Sequence, residues 1–308
     1  MSKVYDVIII GAGPAGYTAA IYAARADLSV LMLAGDTPGG QLLLTNEVDN
    51  FPGFKDGIMG PELMQQMKDQ AKRFGTEIIS EFVTKVDFAD KVKKIDVRDT
   101  TYSAKTVIIS TGASANWLGL ENEQRLMGKG ISACATCDAF FFRDKEVVVV
   151  GGGDVAMEEA ETLTKFASKV TVVHRRDELR ASKIMQKRAF DNSKIEFIWN
   201  SEVVDVLGQD MVEGVRLRDT QDGSEKDYLC QGMFVAIGHT PATKLFKDVL
   251  KLDEKGYIVT QDHSVLTEIA GVFAAGDVVD AHYRQAITAA GDGCRAALEA
   301  ERYLANLG

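Results

Sequence analysis

Two glycine turns constrain this chain more than any other feature. Gly11-Ala12-Gly13-Pro14-Ala15-Gly16 and Gly151-Gly152-Gly153-Asp154-Val155-Ala156 lie about 140 residues apart, and each separates an apolar run from a stretch of small residues. Before the first turn, Val4 to Ile10 is β-branched and apolar, the pattern of a strand buried on both faces. After it, Tyr17 to Ala26 suits a helix packed close to a sheet. Around the second turn, Glu146 to Val150 reads as a strand, Met157 to Phe166 as a helix and Ser168 to Val173 as the next strand. In a strand–turn–helix setting such glycines admit a diphosphate to backbone N–H groups and to the positive end of a helix dipole. The first glycine makes the tight turn, the second permits close approach, and the third (Gly16 here, Ala156 in the second turn) lets helix and strand pack. A single glycine turn can be purely structural; two in the same setting point to two dinucleotide-binding units.

Further strand ends complete the pattern. Val107 to Ala113 carries Thr111-Gly112, Phe234 to His239 carries Ile237-Gly238, and Val272 to Asp277 carries Gly276-Asp277 before an Ala-rich helix from about His282 to Leu304. The expected fold is therefore α/β, with two Rossmann-like dinucleotide-binding domains. Residues 115–243 form the second, inserted into a first made of 1–114 and 244–308. The two connections, near Ser114 and Thr243, would lie close together and could act as a hinge.

Each unit carries a clue to its nucleotide. An acid at the end of the second strand usually binds the adenosine ribose of NAD. In the second unit that strand ends in His174-Arg175-Arg176, with Arg180 expected one helical turn further on. Guanidinium groups suit a 2′-phosphate, so NADPH is expected over NADH, the plain alternative being a solvated basic patch at a helix start. In the first unit the strand Ser29 to Leu33 runs into Ala34-Gly35-Asp36, and the ribose-binding acid is missing.

Of four cysteines, Cys134 and Cys137 form a C-x-x-C pair, while Cys230 and Cys294 stand alone and read as small buried hydrophobes. A C-x-x-C can close and open reversibly. The rival readings are half of a zinc site, which lacks a second such pair, and an inert buried pair. Asp138, next to Cys137, is placed either to protonate a leaving thiolate or to serve as an ordinary turn residue. A formal charge of -10 is wrong for a nucleic-acid footprint. The start, Met1-Ser2-Lys3-Val4-Tyr5-Asp6, is followed by too short an apolar run for a leader or a membrane span, so a cytoplasmic protein is expected.

With these residues in place, the chain resembles the low-molecular-weight, bacterial-type thioredoxin reductases over essentially its whole length. The resemblance rests on an ordered set: Gly11 to Ala20, Gly39-Gly40-Gln41-Leu42, Asn50-Phe51-Pro52-Gly53, Ser132 to Asp138, His174 to Asp177, Gly276-Asp277 and Tyr283-Arg284-Gln285-Ala286. It implies the class-II pyridine nucleotide-disulfide oxidoreductase fold, a homodimer, and reduction of oxidised thioredoxin by NADPH through FAD and the Cys134–Cys137 pair. FAD would contact Gly11, Gly13, Pro14, Ala15, Gly16, Gln41, Asn50, Val83, Thr111, Gly112, Gly276, Asp277, Arg284, Gln285 and Ala286. NADPH would contact Gly151, Gly153, Asp154, Val155, Ala156, His174, Arg175, Arg176, Arg180, Ile237 and Gly238. Cys137 would face the flavin, Cys134 would attack the partner disulfide, and Asp138 would be the acid. A helix starting near Tyr283 would favour negative charge on the flavin ring. Two departures stand out: Ala139 where Gly commonly follows, and Ala34 in place of the ribose acid.

The sequence order also implies motion, since the cysteine pair and the NADPH site share one domain and both must serve one flavin. A rotation about the connections near Ser114 and Thr243 is expected. The alternatives are a related flavoprotein with a different disulfide partner, such as the carrier of a peroxide-reducing system, and a redox-sensing flavoprotein without turnover.

Overall fold

The computed structural model describes residues 3–45 and 47–307, so Met1 and Ser2 lie outside it. The chain divides into two compact units, Met1–Ser114 with Thr240–Gly308, and Ala115–His239.

The first unit opens with strand β1, Val4–Ile10, helix α1, Pro14–Arg25, and strand β2, Val30–Leu33. Helix α2, Gly60–Arg73, and strand β3, Glu77–Ile79, follow. Then come β4, Lys85–Asp87, β5, Lys93–Val97, and the long β6, Thr100–Ile109. The order is β3-β2-β1-β6-β5-β4, parallel from β3 to β6 and antiparallel beyond. Ile8 and Ile9 on β1 are fully buried on opposite faces, which is why this strand is continuously apolar. Truncating either to Ala would cost about 2–5 kcal/mol.

Within the second unit, strand β7, Ile131–Ser132, leads into the four-residue helix α3, Ala135–Asp138. Strand β8, Glu146–Val150, helix α4, Asp154–Leu163, and strand β9, Lys169–Val173, form its strand–turn–helix–strand core. Helix α5, Lys183–Asp191, and strand β10, Ile195–Ile198, come next. A three-stranded antiparallel sheet follows: β11, Ser201–Leu207, β12, Gly214–Asp219, and β13, Glu225–Leu229. Strand β14, Met233–Val235, returns to the parallel sheet, whose order is β7-β14-β8-β9-β10.

The chain then re-enters the first unit. Strand β15, Val272–Ala274, joins β6 in parallel, and helix α6, Ala286–Ala305, packs along α1. That packing is close: a Cβ on Gly293 of α6 would fall 2.0 Å from the Ala15 carbonyl oxygen. Residues 240–243 belong to the first unit. The Thr111 hydroxyl donates to the Ala242 carbonyl at 2.9 Å, and the Ala242 N–H to the Gly112 carbonyl at 2.9 Å. The return crossing therefore falls between His239 and Thr240, four residues earlier than composition suggests.

Candidate functional site

The two glycine turns share one geometry. A Cβ on Gly11, whose φ is +110°, would lie 2.3 Å from the Ser110 carbonyl oxygen, and one on Gly151 would lie 2.5 Å from that of Ala236. Gly16 packs equally close, 2.3 Å from the Gly11 carbonyl oxygen, whereas Ala156 is accommodated in the second turn, buried on α4. A Cβ at the middle glycine, Gly13 or Gly153, would meet nothing within 4 Å. No side chain caps α1 or α4. Each turn thus leaves open space in front of uncapped helical N–H groups, and each fits the diphosphate of a dinucleotide.

Beside the second turn, the basic cluster is not the one periodicity suggests. Arg180 is not on a helix: residues 175–182 form a loop, and α5 starts only at Lys183. Two backbone bonds tie this loop to the turn, from Arg180 N–H (2.8 Å) and Ala181 N–H (3.1 Å) to the Gly152 carbonyl. The Ser182 N–H donates to Asp154 Oδ1 at 2.7 Å, so Asp154 clamps the loop as well. His174 is buried, with Nε2 3.0 Å from the Glu178 carbonyl and its ring where a Gly152 side chain would sit. Burial holds its pKa below the usual histidine value, and the neighbouring arginines push the same way. His174 therefore underpins the turn. Arg175, Arg176 and Arg180 are exposed, and no ion pair among the described residues engages them. Free guanidinium groups beside an open phosphate turn fit a 2′-phosphate. Val155 is half-buried; Ile237 and Gly238 follow β14, and the Gly238 carbonyl accepts the Asn116 N–H at 2.9 Å.

In the first unit, Gln41 lies in a short 3-10 turn (Gly40–Leu44), and Val83 is half-buried against the cluster that includes Leu31 and Leu33 of β2. Ala34 is buried, its N–H bonded to the Ile79 carbonyl, and Asp36 is exposed, so no acid replaces the missing one at that position. Asn50 Nδ2 donates to Gln285 Oε1 at 3.3 Å, bringing two widely separated candidates together. Helix α6 starts at Ala286, four residues later than composition suggests. The Asp280 carboxylate accepts the N–H groups of His282, Tyr283 and Arg284 at 2.8, 2.8 and 2.9 Å, holding this segment as a turn. Arg284 has φ +48° within it, and Nη1 donates to the Ala281 carbonyl at 2.7 Å. Asp277, following Gly276, is pushed up to about 7, chiefly by burial and then by Asp280.

The cysteine pair stands on the second unit. Cys134 and Cys137 are joined in a disulfide, with their Cα atoms 5.3 Å apart. Cys134 caps α3, and its Sγ accepts the Cys137 N–H at 3.2 Å. Cys137 is the more exposed of the two. Asp138 is largely shielded, and burial pushes its pKa up against an opposing hydrogen bond from Ser132. Three features here escape sequence reasoning. Ser132 Oγ accepts the Cys134 N–H at 3.0 Å; the Glu159 carboxylate on α4 accepts the Ala135 N–H; and Phe140 and Phe141, just past Asp138, are 59% and 38% exposed. Only the Phe run was visible in the sequence, and apolarity alone reads as core. Cys230 is buried in another part of this unit, its thiol pushed up to about 12, and Cys294 lies on α6 of the first unit. Among the described residues no group of three or more His, Cys, Asp or Glu is placed to hold a metal ion.

The model of the pyridine nucleotide-disulphide oxidoreductases matches residues 5–293. A thioredoxin reductase of Streptomyces clavuligerus is 56% identical over 309 residues, covering 100% of this chain and 96% of that protein. The chain belongs to the thioredoxin reductases, within the pyridine nucleotide-disulphide oxidoreductase family. Two crystal structures of such reductases extend the likeness. That from Streptococcus pyogenes is 46% identical with a TM-score of 0.95, covering 99% of this chain and 100% of its own. The Lactococcus lactis enzyme, described as in the FR conformation, is 42% identical with a TM-score of 0.65, covering 98% and 99%. The Cys134–Cys137 disulfide fits the redox-active disulfide of such a reductase. Among the described residues no helix is long and apolar enough to cross a membrane.

Proposed function

We propose that this chain reduces the disulfide of thioredoxin at the expense of NADPH, through FAD and the Cys134–Cys137 pair. The observation that carries the reading is the disulfide at the head of α3, flanked by a shielded carboxyl group. The nucleotides supply the electron pair that opens this disulfide to a dithiol.

From there the chain's own groups act. Cys134 is the nucleophile: the Cys137 N–H that donates to its sulfur would stabilise a thiolate. It attacks one sulfur of the partner disulfide, whose other sulfur leaves and takes a proton from Asp138, whose pKa burial raises. The Cys137 thiol then gives its proton to the Asp138 carboxylate and attacks Cys134 Sγ, restoring the Cys134–Cys137 bond, and the second partner sulfur leaves and takes that proton back from Asp138. Two electrons pass to the partner, and one disulfide exchanges for another. Phe140 and Phe141, exposed beside the pair, offer an apolar seat for a protein partner.

FAD belongs to the first unit, with its diphosphate on Gly13 to Gly16 and its ring near Gln41, Asn50, Val83 and the Arg284-Gln285-Ala286 segment; Thr111, Gly112, Gly276 and Asp277 complete the set. NADPH belongs to the second, on Gly151 to Ala156, with Ile237 and Gly238 alongside and its 2′-phosphate among Arg175, Arg176 and Arg180. His174 serves from beneath. Cys137 would be the thiol on the flavin side, and a rotation about the two connections would bring the cysteine pair and the NADPH site in turn to the bound cofactor. A homodimer and a cytoplasmic setting accompany this reading.

The test is NADPH-dependent reduction of thioredoxin by the purified flavin-loaded protein, with NADH and other disulfide acceptors beside it. Fast turnover with NADPH and thioredoxin is expected. Bound FAD with negligible NADPH oxidation would instead mark a sensor. Cys134→Ser should show a long-wavelength charge-transfer band that Cys137→Ser lacks; the reverse would exchange their roles.

A further inference from the structure

Helix α3 has only four residues, so its first N–H groups matter as much as its side chains. Cys134 is its cap and Ala135 its first residue. Ala135 is 1% exposed, so its N–H must find a partner inside the protein. That partner is the Glu159 carboxylate, reaching from the second turn of α4, the helix that leaves the second glycine turn. Glu158, beside it, is exposed and turned to solvent. A neutral acceptor would satisfy one N–H equally well. A carboxylate adds a negative charge one residue from Cys134.

We propose that Glu159 is a positioning residue for the disulfide chemistry: it anchors the helix that presents Cys134 and sets a charge behind the sulfur that makes the dithiol a stronger reductant. The argument is one of sign. The disulfide carries no charge, whereas the reduced pair carries a thiolate that Glu159 repels. Two electrons and one proton convert the disulfide to this thiol–thiolate pair, and repulsion raises only the reduced side. It also raises the pKa of the Cys134 thiol, against the opposing pull of the Cys137 N–H on the same sulfur. Beside it stand Asp138 on α3 itself, shifted towards its neutral form by burial, and the Ser132 hydroxyl from β7, which bonds the Cys134 backbone. Glu159 is the carboxylate bonded to the first N–H of the helix that carries the cysteines. It also ties the helix that opens at the phosphate turn to the helix that carries the cysteines, through one hydrogen bond.

This inference rests on the reading of Cys134–Cys137 as the redox pair, and the test separates the two. The intact flavoprotein and its Glu159→Gln and Glu159→Ala variants are equilibrated with glutathione buffers of graded potential at pH 8. The Cys134 and Cys137 thiols are then trapped by alkylation and counted by peptide mass. Glu159→Gln keeps an acceptor for Ala135 and removes the charge. It should shift the equilibrium about threefold towards the dithiol, which is about 15 mV on a scale where tenfold is about 30 mV. Alkylation of Cys134 against pH, in a Cys137→Ser background, should show a lower thiol pKa when Glu159→Gln is added. Glu159→Ala should move both readouts in the same sense. If Glu159→Gln matches the parent in both, the charge role is overturned, and a shift confined to Glu159→Ala would reduce the residue to a structural anchor. If the pair in the parent protein never opens in any buffer, the redox reading itself fails.

Discussion

At the scale of single residues, burial rather than sequence decides which carboxyl groups can handle protons. Asp138 and Asp277 both follow short motifs, and both have raised pKa values because the chain shields them. For Asp138 the consequence is catalytic. Asp138→Asn should lower kcat for thioredoxin reduction about 100-fold or more while leaving reduction of the flavin by NADPH intact, as rapid mixing would show. For Asp277 the consequence is stability. Its folded pKa of about 7 lies above the usual carboxylate value of 3.8, so between these limits the folded state holds a proton that the unfolded state has lost. Stability from this group is complete below about pH 4 and falls as pH rises towards about 7. The gain in Tm from Asp277→Asn should accordingly be larger at pH 8 than at pH 5; a difference constant with pH would contradict the assignment. The sequence offered Asp138 as an acid or a turn residue but not the burial that raises its pKa, nor that of Asp277. Glu159 was still less visible, because its partner is a backbone N–H on another helix.

At the scale of elements, the strand–turn–helix units were legible because three signals coincide: a β-branched run, glycines and small helical residues. Their limits were not. Helix α4 starts at Asp154 rather than Met157 because its first turn overlaps the glycine turn. Helix α6 starts late because the Asp280 carboxylate takes three N–H groups that a helix would otherwise claim. Arg180 leaves the expected helix because backbone bonds to Gly152 hold its loop. The glycine geometry separates fold from binding. Gly11→Ala, strained in φ and in contact with a carbonyl, should destabilise the fold by about 2 kcal/mol or more. Gly153→Val, which enters open space, should leave Tm nearly unchanged and raise KM for NADPH. A double Arg175→Ala, Arg176→Ala variant should lose about tenfold or more in kcat/KM with NADPH and little with NADH. Equal losses with both nucleotides would mean the arginines do not read the 2′-phosphate.

For the whole molecule, one chain carries two nucleotide turns of equal geometry and one disulfide, and the disulfide shares its unit with the second turn. The order of motifs along the chain was enough to suggest this plan, although the crossing back into the first unit needed the bonds of Thr111 and Ala242 to place it. A covalent cross-link that prevents rotation about the two connections should abolish turnover with thioredoxin, and its reductive release should restore it. The central claim is that electrons from NADPH reach the Cys134–Cys137 bond. It is tested most directly by adding NADPH to the flavin-loaded protein without oxygen, quenching with an alkylating reagent and mapping the labelled cysteines. The account predicts that Cys134 and Cys137 become labelled together, with Cys230 unchanged. A flavin that loses its colour while the Cys134–Cys137 disulfide stays closed would contradict it.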